Sequence, residues 1–173
     1  AYVAMAMQLR PEQIANIEAR FRKTNTEWRE DWVEGGAEER LKRRLKTARE
    51  RGEDFYGSLK EPQETVLRNA LARSDFDPDL NYRERVRRQQ DLVQTLRRIT
   101  TPTAGAQPSM AQATQALRGY IERTLQSPDP AYRAWSEKAI ADGCRTVSEL
   151  HNSTTPEQRA RATRRLAAYE RDV

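Results

Sequence analysis

The stretch PEQIANIEARFRKTNTEWREDWV, residues 11–33, carries its apolar side chains at helical intervals. These side chains are Ile14, Ile17, Phe21, Trp28 and Trp32. Steps of three, four and seven residues return to one face of an α-helix, whereas a strand alternates every second residue. The spacing therefore predicts a long amphipathic helix over residues 11–33, with the two tryptophans as core anchors.

A second apolar stripe follows the break at Gly35 and Gly36. Its members are Leu41, Leu45, Ala48, Phe55 and Leu59. The stripe predicts a helix through about Tyr56, antiparallel to the first if the Gly-Gly turn is tight.

Five more helices are predicted along the rest of the chain. A short one covers residues 62–72, and Asp77 caps a longer one that ends near Ile99. The last three begin at Met110, after Asp129 and after Thr155. We find no strand-like alternation, so the sequence predicts an all-α bundle of about seven helices, built from antiparallel hairpins.

The segment TPTAGAQPS, residues 101–109, is uncharged and contains two prolines and a glycine, which is typical of a linker. It predicts an N-terminal helical lobe, residues 1–100, and a C-terminal helical lobe, residues 110–173, packed as one domain.

Charged residues make up 33% of the chain, the net charge is +5, and mean hydropathy is −0.99. The 31 basic residues are interleaved with 26 acidic ones, which favours a solvated helix surface. No apolar run approaches the roughly 20 residues that a membrane-spanning helix needs. The chain does not start with methionine, and we expect it to be part of a longer precursor.

A short pattern recurs at three places where helices are predicted to start. It reads LRPEQ at residues 9–13, LKEPQ at 59–63 and TTPEQ at 154–158. In the third copy, Thr155 and Gln158 form a capping box, in which each side chain bonds a free backbone amide of the helix start. Local helix capping therefore explains the pattern without a functional role.

The copies at Leu9 and Leu59 also resemble the LTxxQ pattern of the Spy/CpxP family of periplasmic chaperones and stress-response regulators, although only the third copy has the threonine. That resemblance implies a small, helical, basic and cofactor-free protein that binds partly unfolded clients on a concave surface.

A second resemblance covers most of the chain. It is carried by RFRKTNTEWREDW (20–32), ERLKRRLKTARERGEDFYGSL (39–59), SDFDPDLNYRERVRRQQDLVQTLR (74–97), SPDPAYRAW (127–135) and LHNSTTPEQRARA (150–162). These segments resemble a family of uncharacterised proteobacterial envelope lipoproteins, defined as a domain of unknown function. The resemblance implies a periplasmic location and a lipobox and lipid anchor in the precursor. Cys144 is either a small buried residue or one half of a disulfide to a cysteine in an N-terminal segment absent from this chain, a pairing that an oxidising periplasm would suit.

Catalytic and metal-binding patterns are not recognisable. His151 lies at a predicted helix end, where the helix dipole favours it, and nearby serines form no nucleophile elbow. One histidine and one cysteine give no zinc spacing, and there is no EF-hand or phosphate-binding loop. We predict neither an enzyme nor a cofactor.

Polar residues on three of the predicted helices form the candidate partner-binding surface. They are Arg20, Asn25, Arg40, Arg44, Glu84, Arg85, Arg88, Gln89 and Asp91. Arginine forks recognise carboxylates and phosphates, which favours a recognition surface. The same residues are typical of an ion-pair network between helices, which is the interpretation that we favour.

The residues and resemblances together predict a non-enzymatic periplasmic lipoprotein domain that binds other proteins, as a chaperone-like or stress-related factor. One alternative is a structural or assembly subunit of a cell-envelope complex. The other is a basic helical nucleic-acid-binding protein, although an envelope location predicts no nucleic-acid partner.

Overall fold

The computed structural model describes residues 2–102 and 105–171 of the 173-residue chain. Within these residues the chain forms eight helices and no β-strand, which confirms the all-α prediction. The helices are α1 (Tyr2–Met7), α2 (Pro11–Trp32), α3 (Ala37–Tyr56), α4 (Glu61–Arg73), α5 (Pro78–Thr100), α6 (Met110–Leu125), α7 (Pro130–Asn152) and α8 (Pro156–Arg171).

Helix boundaries follow the local signals in the sequence. Asp77 accepts a hydrogen bond from the backbone amide of Leu80 and caps α5, with Pro78 as its first residue. Gly57 follows the last residue of α3 as its C-cap, and its φ of +78° favours glycine. Helix α1, at the start of the chain, is the one that the predicted set of seven did not include.

The chain forms two compact units that interleave along the sequence. The first unit contains Ala1–Glu34 and Asp77–Ala134, and the second contains Gly35–Phe76 and Trp135–Val173. This division differs from the predicted lobes, because α6 packs on α5 and belongs to the first unit. Residues 103–104 of the predicted linker lie outside the described residues.

The first unit is built on α5, which packs against α1, α2 and α6. Its core contains Ile14 of α2, Ala113 of α6 and three residues of α5: Val93, Leu96 and Ile99. Ile17 and Phe21 pack on this core, as the stripe on residues 11–33 predicts. Trp28 stacks on Tyr82 of α5 with ring centroids 5.7 Å apart.

The second unit is built on α3, which packs against α4 and α8. Leu59, Leu67 and Leu150 form its buried cluster, and Leu45, Ala48 and Tyr56 pack on it. The sequence predicts that α2 pairs with α3. In the structure, α2 packs on α5 in the first unit, and α3 packs on α4 and α8 in the second unit. An apolar stripe fixes which face of a helix is buried but does not name the helix that covers it.

Across residues 2–102 and 105–171, the structure contains no helix that combines the length and the apolar character needed to cross a bilayer.

Candidate functional site

Glu84 is the centre of a buried ion-pair network in the first unit. Its side chain is 3% exposed and lies 2.8 Å from Nε of Arg87 and 2.8 Å from Nε of Arg88. The hydroxyl of Ser127, in the loop after α6, donates to the same carboxylate at 2.9 Å. The network therefore ties this loop to α5.

Asn25, Arg85 and Gln89 form a second polar network, which joins α2 to α5. Nε of Arg85 donates to Oδ1 of Asn25 at 2.9 Å, and the Asn25 amide donates to Oε1 of Gln89 at 2.6 Å. Three of the predicted surface residues are therefore engaged with each other across a helix pair.

Asp91 pairs with Arg123 of α6 through two hydrogen bonds, of 2.9 and 2.7 Å, and with Arg87 at 3.4 Å. Among the described residues, each buried side-chain nitrogen or oxygen has a hydrogen-bond partner. Saturated networks of this kind favour a structural role for these residues. Glu84 pairs with Arg87 and Arg88 within α5, whereas the Asp91–Arg123 pair joins α5 to α6.

The surroundings of Glu84 and Asp91 lower the pKa of both carboxyl groups. Burial raises the pKa of Glu84, but hydrogen bonds from Arg87, Arg88 and Ser127 outweigh burial and hold that pKa below its ordinary value. Hydrogen bonds from Arg123 lower the pKa of Asp91. Both carboxylates are therefore charged near neutral pH.

The other predicted surface residues lie elsewhere. Arg20 is exposed on α2. Arg40 and Arg44 are half-buried on α3, in the second unit, where a guanidinium nitrogen of Arg40 donates to the carbonyl of Gly35. Of the nine candidates, Arg44 lines an apolar groove.

This groove lies within the second unit and has a volume of about 690 Å³. Four helices and the segment after α4 line it. The apolar and aromatic lining residues are Ala48, Gly52, Phe55, Tyr56, Leu67, Leu71, Phe76, Trp135, Ala139, Gly143, Val147, Leu150, Ala162 and Leu166. Cavities of 300 to 1,000 Å³ are typical of ligand sites.

Two lining residues show that the groove is open to solvent. Val147 of α7 is 62% exposed and Leu166 of α8 is 58% exposed. Ile140 of α7 is also 65% exposed, but it does not line the groove. Large apolar side chains that share an open concave surface are typical of binding sites.

Arg44 stands at the wall of this groove. Its Nη1 donates to the carbonyl of Leu71 at 3.2 Å, and Nη2 donates to the hydroxyl of Ser74. The guanidinium carbon lies 4.7 Å from the centroid of the Phe76 ring. Burial lowers the pKa of Arg44, which nevertheless stays charged because an arginine pKa starts so high.

The recurring helix-start pattern brings two glutamines together in the second unit. Nε2 of Gln63 donates to Oε1 of Gln158 at 2.7 Å, and Nε2 of Gln158 donates back to Oε1 of Gln63 at 3.2 Å. Gln63 also donates to the carbonyl of Ser153, and Gln158 donates to the carbonyl of Ser58. The two copies therefore meet as reciprocal partners that join the starts of α4 and α8.

Each glutamine of the pattern also caps its own helix. Oε1 of Gln13, Gln63 and Gln158 accepts a backbone amide three residues earlier, at 2.9, 2.9 and 3.0 Å. Thr155 completes the predicted capping box, since its hydroxyl accepts the amide of Gln158 at 3.3 Å. Helix capping is thus the role that all three copies share.

His151 and Cys144 lie on α7. The hydroxyl of Tyr56 is 2.9 Å from Nδ1 of His151, so the histidine pairs with α3 near the end of its own helix. Cys144 is an exposed free thiol, so the expectation of a small buried residue is wrong. The predicted disulfide to a segment outside this chain stays a prediction. Within the described ranges, no three histidine, cysteine or acidic side chains are grouped closely enough to hold a metal ion.

Sequence reasoning missed the groove and the Gln63–Gln158 pair. The signal for the groove was present, since Phe55, Val147, Leu150 and Leu166 belong to apolar helix stripes. Nothing in the periodicity separates a stripe that another helix covers from one that lines an open groove.

Comparisons with known proteins identify the family. The family described as "Family of unknown function (DUF6279)" matches residues 1–120, which is more than half of the chain. No curated protein matches the chain. No solved structure matches it either. The chain therefore belongs to the DUF6279 family of unknown function.

Proposed function

We propose that this chain is a non-enzymatic, protein-binding domain of a periplasmic lipoprotein that holds segments of other proteins in a chaperone-like manner. The observation that carries the proposal is the open apolar groove of the second unit, with Val147 and Leu166 exposed on its walls.

The groove supplies attraction without covalent chemistry. Burying a Val or Leu side chain contributes about 1.5 to 3 kcal/mol, so a few contacts support reversible binding. Helix α8, which forms one wall, carries five arginines against two glutamates, a balance that attracts acidic polypeptides at long range. The groove therefore supplies short-range adhesion, and the basic helix that contributes to its wall supplies long-range attraction.

The proposal is non-enzymatic because the polar residues that the sequence singles out are largely used to join helices. Glu84, Arg85, Gln89 and Asp91 each bond a partner on another helix or loop. The periplasmic location and the lipid anchor rest on the sequence resemblance, and mass spectrometry of the protein from envelope fractions tests for an N-terminal lipid.

An aggregation assay tests the activity. We expect the purified domain, at about one molecule per client, to delay aggregation of a reduced or acid-unfolded client protein, followed by light scattering. A domain without effect on several unrelated clients would show that the chaperone-like proposal is wrong.

Crosslinking in envelope fractions distinguishes a chaperone-like domain that holds many client proteins from a subunit that binds one dedicated partner. Many crosslinked proteins support general holding, whereas one dominant partner supports the alternative role as an assembly subunit. Retention on a DNA column with a steep salt dependence would instead support nucleic-acid binding.

A further inference from the structure

The groove walls restrict the backbone conformation of a polypeptide segment that binds in the groove. The lining is contributed mainly by α3, α4, α7 and α8, whose backbone amides and carbonyls are used within those helices. An extended segment would find few backbone partners there, and its own polar groups would lose water without compensation. A helical segment satisfies its own backbone groups, so the walls favour a helix.

The lining of α3 sets the length of that segment. It runs from Arg44 to Tyr56, which at about 1.5 Å per residue spans about 18 Å. An occupant of about three helical turns, with apolar side chains three or four residues apart, fills this length.

Arg44 adds a charge requirement at one end of the groove. Its guanidinium makes hydrogen bonds to one carbonyl and one hydroxyl, and no carboxylate among the described residues forms an ion pair with it. Asp142, which also lines the groove, is already paired with Arg145. A half-buried cation without an anionic partner, beside apolar walls, fits a carboxylate on the occupant.

Resting on the proposed function, we propose that the groove binds an amphipathic helix of another polypeptide, about three turns long, whose acidic side chain pairs with Arg44. The apolar face of that helix covers Val147 and Leu166, and its carboxylate takes the N–H donors that Arg44 leaves unused.

Synthetic peptides measured by fluorescence anisotropy test the proposal. One peptide is helical, with leucines three and four residues apart and a glutamate on the same face in one terminal turn. The second replaces this glutamate with glutamine, and the third places the same residues in alternation. We expect the glutamate peptide to bind about tenfold more tightly than the glutamine peptide, and the alternating peptide to bind most weakly.

Matched variants of the protein test whether Arg44 causes the difference in affinity between the glutamate and glutamine peptides. Arg44→Gln should make the two helical peptides bind equally, whereas Lys46→Gln, an exposed change of the same charge on α3, should preserve their difference. Circular dichroism checks that both variants fold. If Arg44→Gln does not fold, the glutamate and glutamine peptides still decide the question on the unmodified protein.

The outcomes distinguish a failure of the helix-binding proposal from a failure of the proposed protein-binding function. Equal binding of the glutamate and glutamine peptides overturns the role of Arg44 and leaves the proposed function standing. Stronger binding of the alternating peptide overturns the helical occupant. Binding of dodecanoate but of no peptide shows that a small amphiphile fills the groove, and then the proposed function fails as well.

Discussion

Gln63 and Gln158, 95 residues apart in the sequence, donate to each other and to equivalent carbonyls, those of Ser153 and Ser58. Each side chain caps its own helix and binds the start of the other. The recurring pattern thus links the starts of α4 and α8 as well as starting each helix.

We expect Gln63→Ala to lower the free energy of unfolding by about 2 kcal/mol, because it removes the cap on the amide of Lys60 and the hydrogen bonds to the Ser153 carbonyl and to Gln158. Urea denaturation measures this loss. Gln13→Ala is the matched control, since Gln13 caps α2 at an exposed position, and it should cost less than about 1 kcal/mol.

A double-mutant cycle tests whether the two glutamines act together. Gln63→Ala combined with Gln158→Ala should cost at least about 0.5 kcal/mol less than the sum of the single changes. Strict additivity would show that each glutamine acts on its own helix alone.

Glu84→Gln should destabilise the first unit by about 3 kcal/mol, because Arg87 and Arg88 lose the carboxylate that they share with Ser127. Breaking a buried ion pair costs about 3 to 5 kcal/mol of stability. We expect the lower value here, because these arginines are 25% and 33% exposed and can reach water. Thermal denaturation measures the effect. Glu27→Gln, which removes an exposed partner of Lys23, should change stability by less than about 0.5 kcal/mol, and a similar loss in both variants would contradict the central role of Glu84.

The lowered pKa values of Glu84 and Asp91 predict acid sensitivity. A carboxyl group whose pKa is lower in the folded state contributes stability above its unfolded pKa of about 4 and loses that contribution as pH falls through its folded pKa. The free energy of unfolding should therefore decrease below about pH 4. Asp91→Asn should make this decrease shallower, and an unchanged pH profile in urea titrations would argue against the Arg123 contact as the cause.

Local chemistry explains why the helices were predictable and their pairing was not. Pro11, Asp77, Pro78 and Thr155 mark helix starts through interactions within a few residues, and the structure places the helices there. The pairing of α2 with α5 depends on which stripes fit each other, and five apolar side chains on a stripe do not encode a partner.

The candidate site was predictable only in part, for the same reason. Residue type identified Glu84 and Asp91 as members of an ion-pair network, because buried carboxylates need cationic partners. The open groove depends on how far α7 and α8 stand from α3 and α4, a property of packing that no local spacing reveals.

The binding role of the groove is the central claim, and charged substitutions in its wall test it most directly. Val147→Asp and Leu166→Asp place a carboxylate among the apolar lining, whereas Ile140→Asp makes the same kind of change on exposed α7 surface outside the groove. The measurement is the affinity of each variant for the helical glutamate peptide, by fluorescence anisotropy. We predict that the two groove variants bind about tenfold more weakly and that Ile140→Asp binds like the unmodified chain. Equal affinity in all three variants would contradict the account.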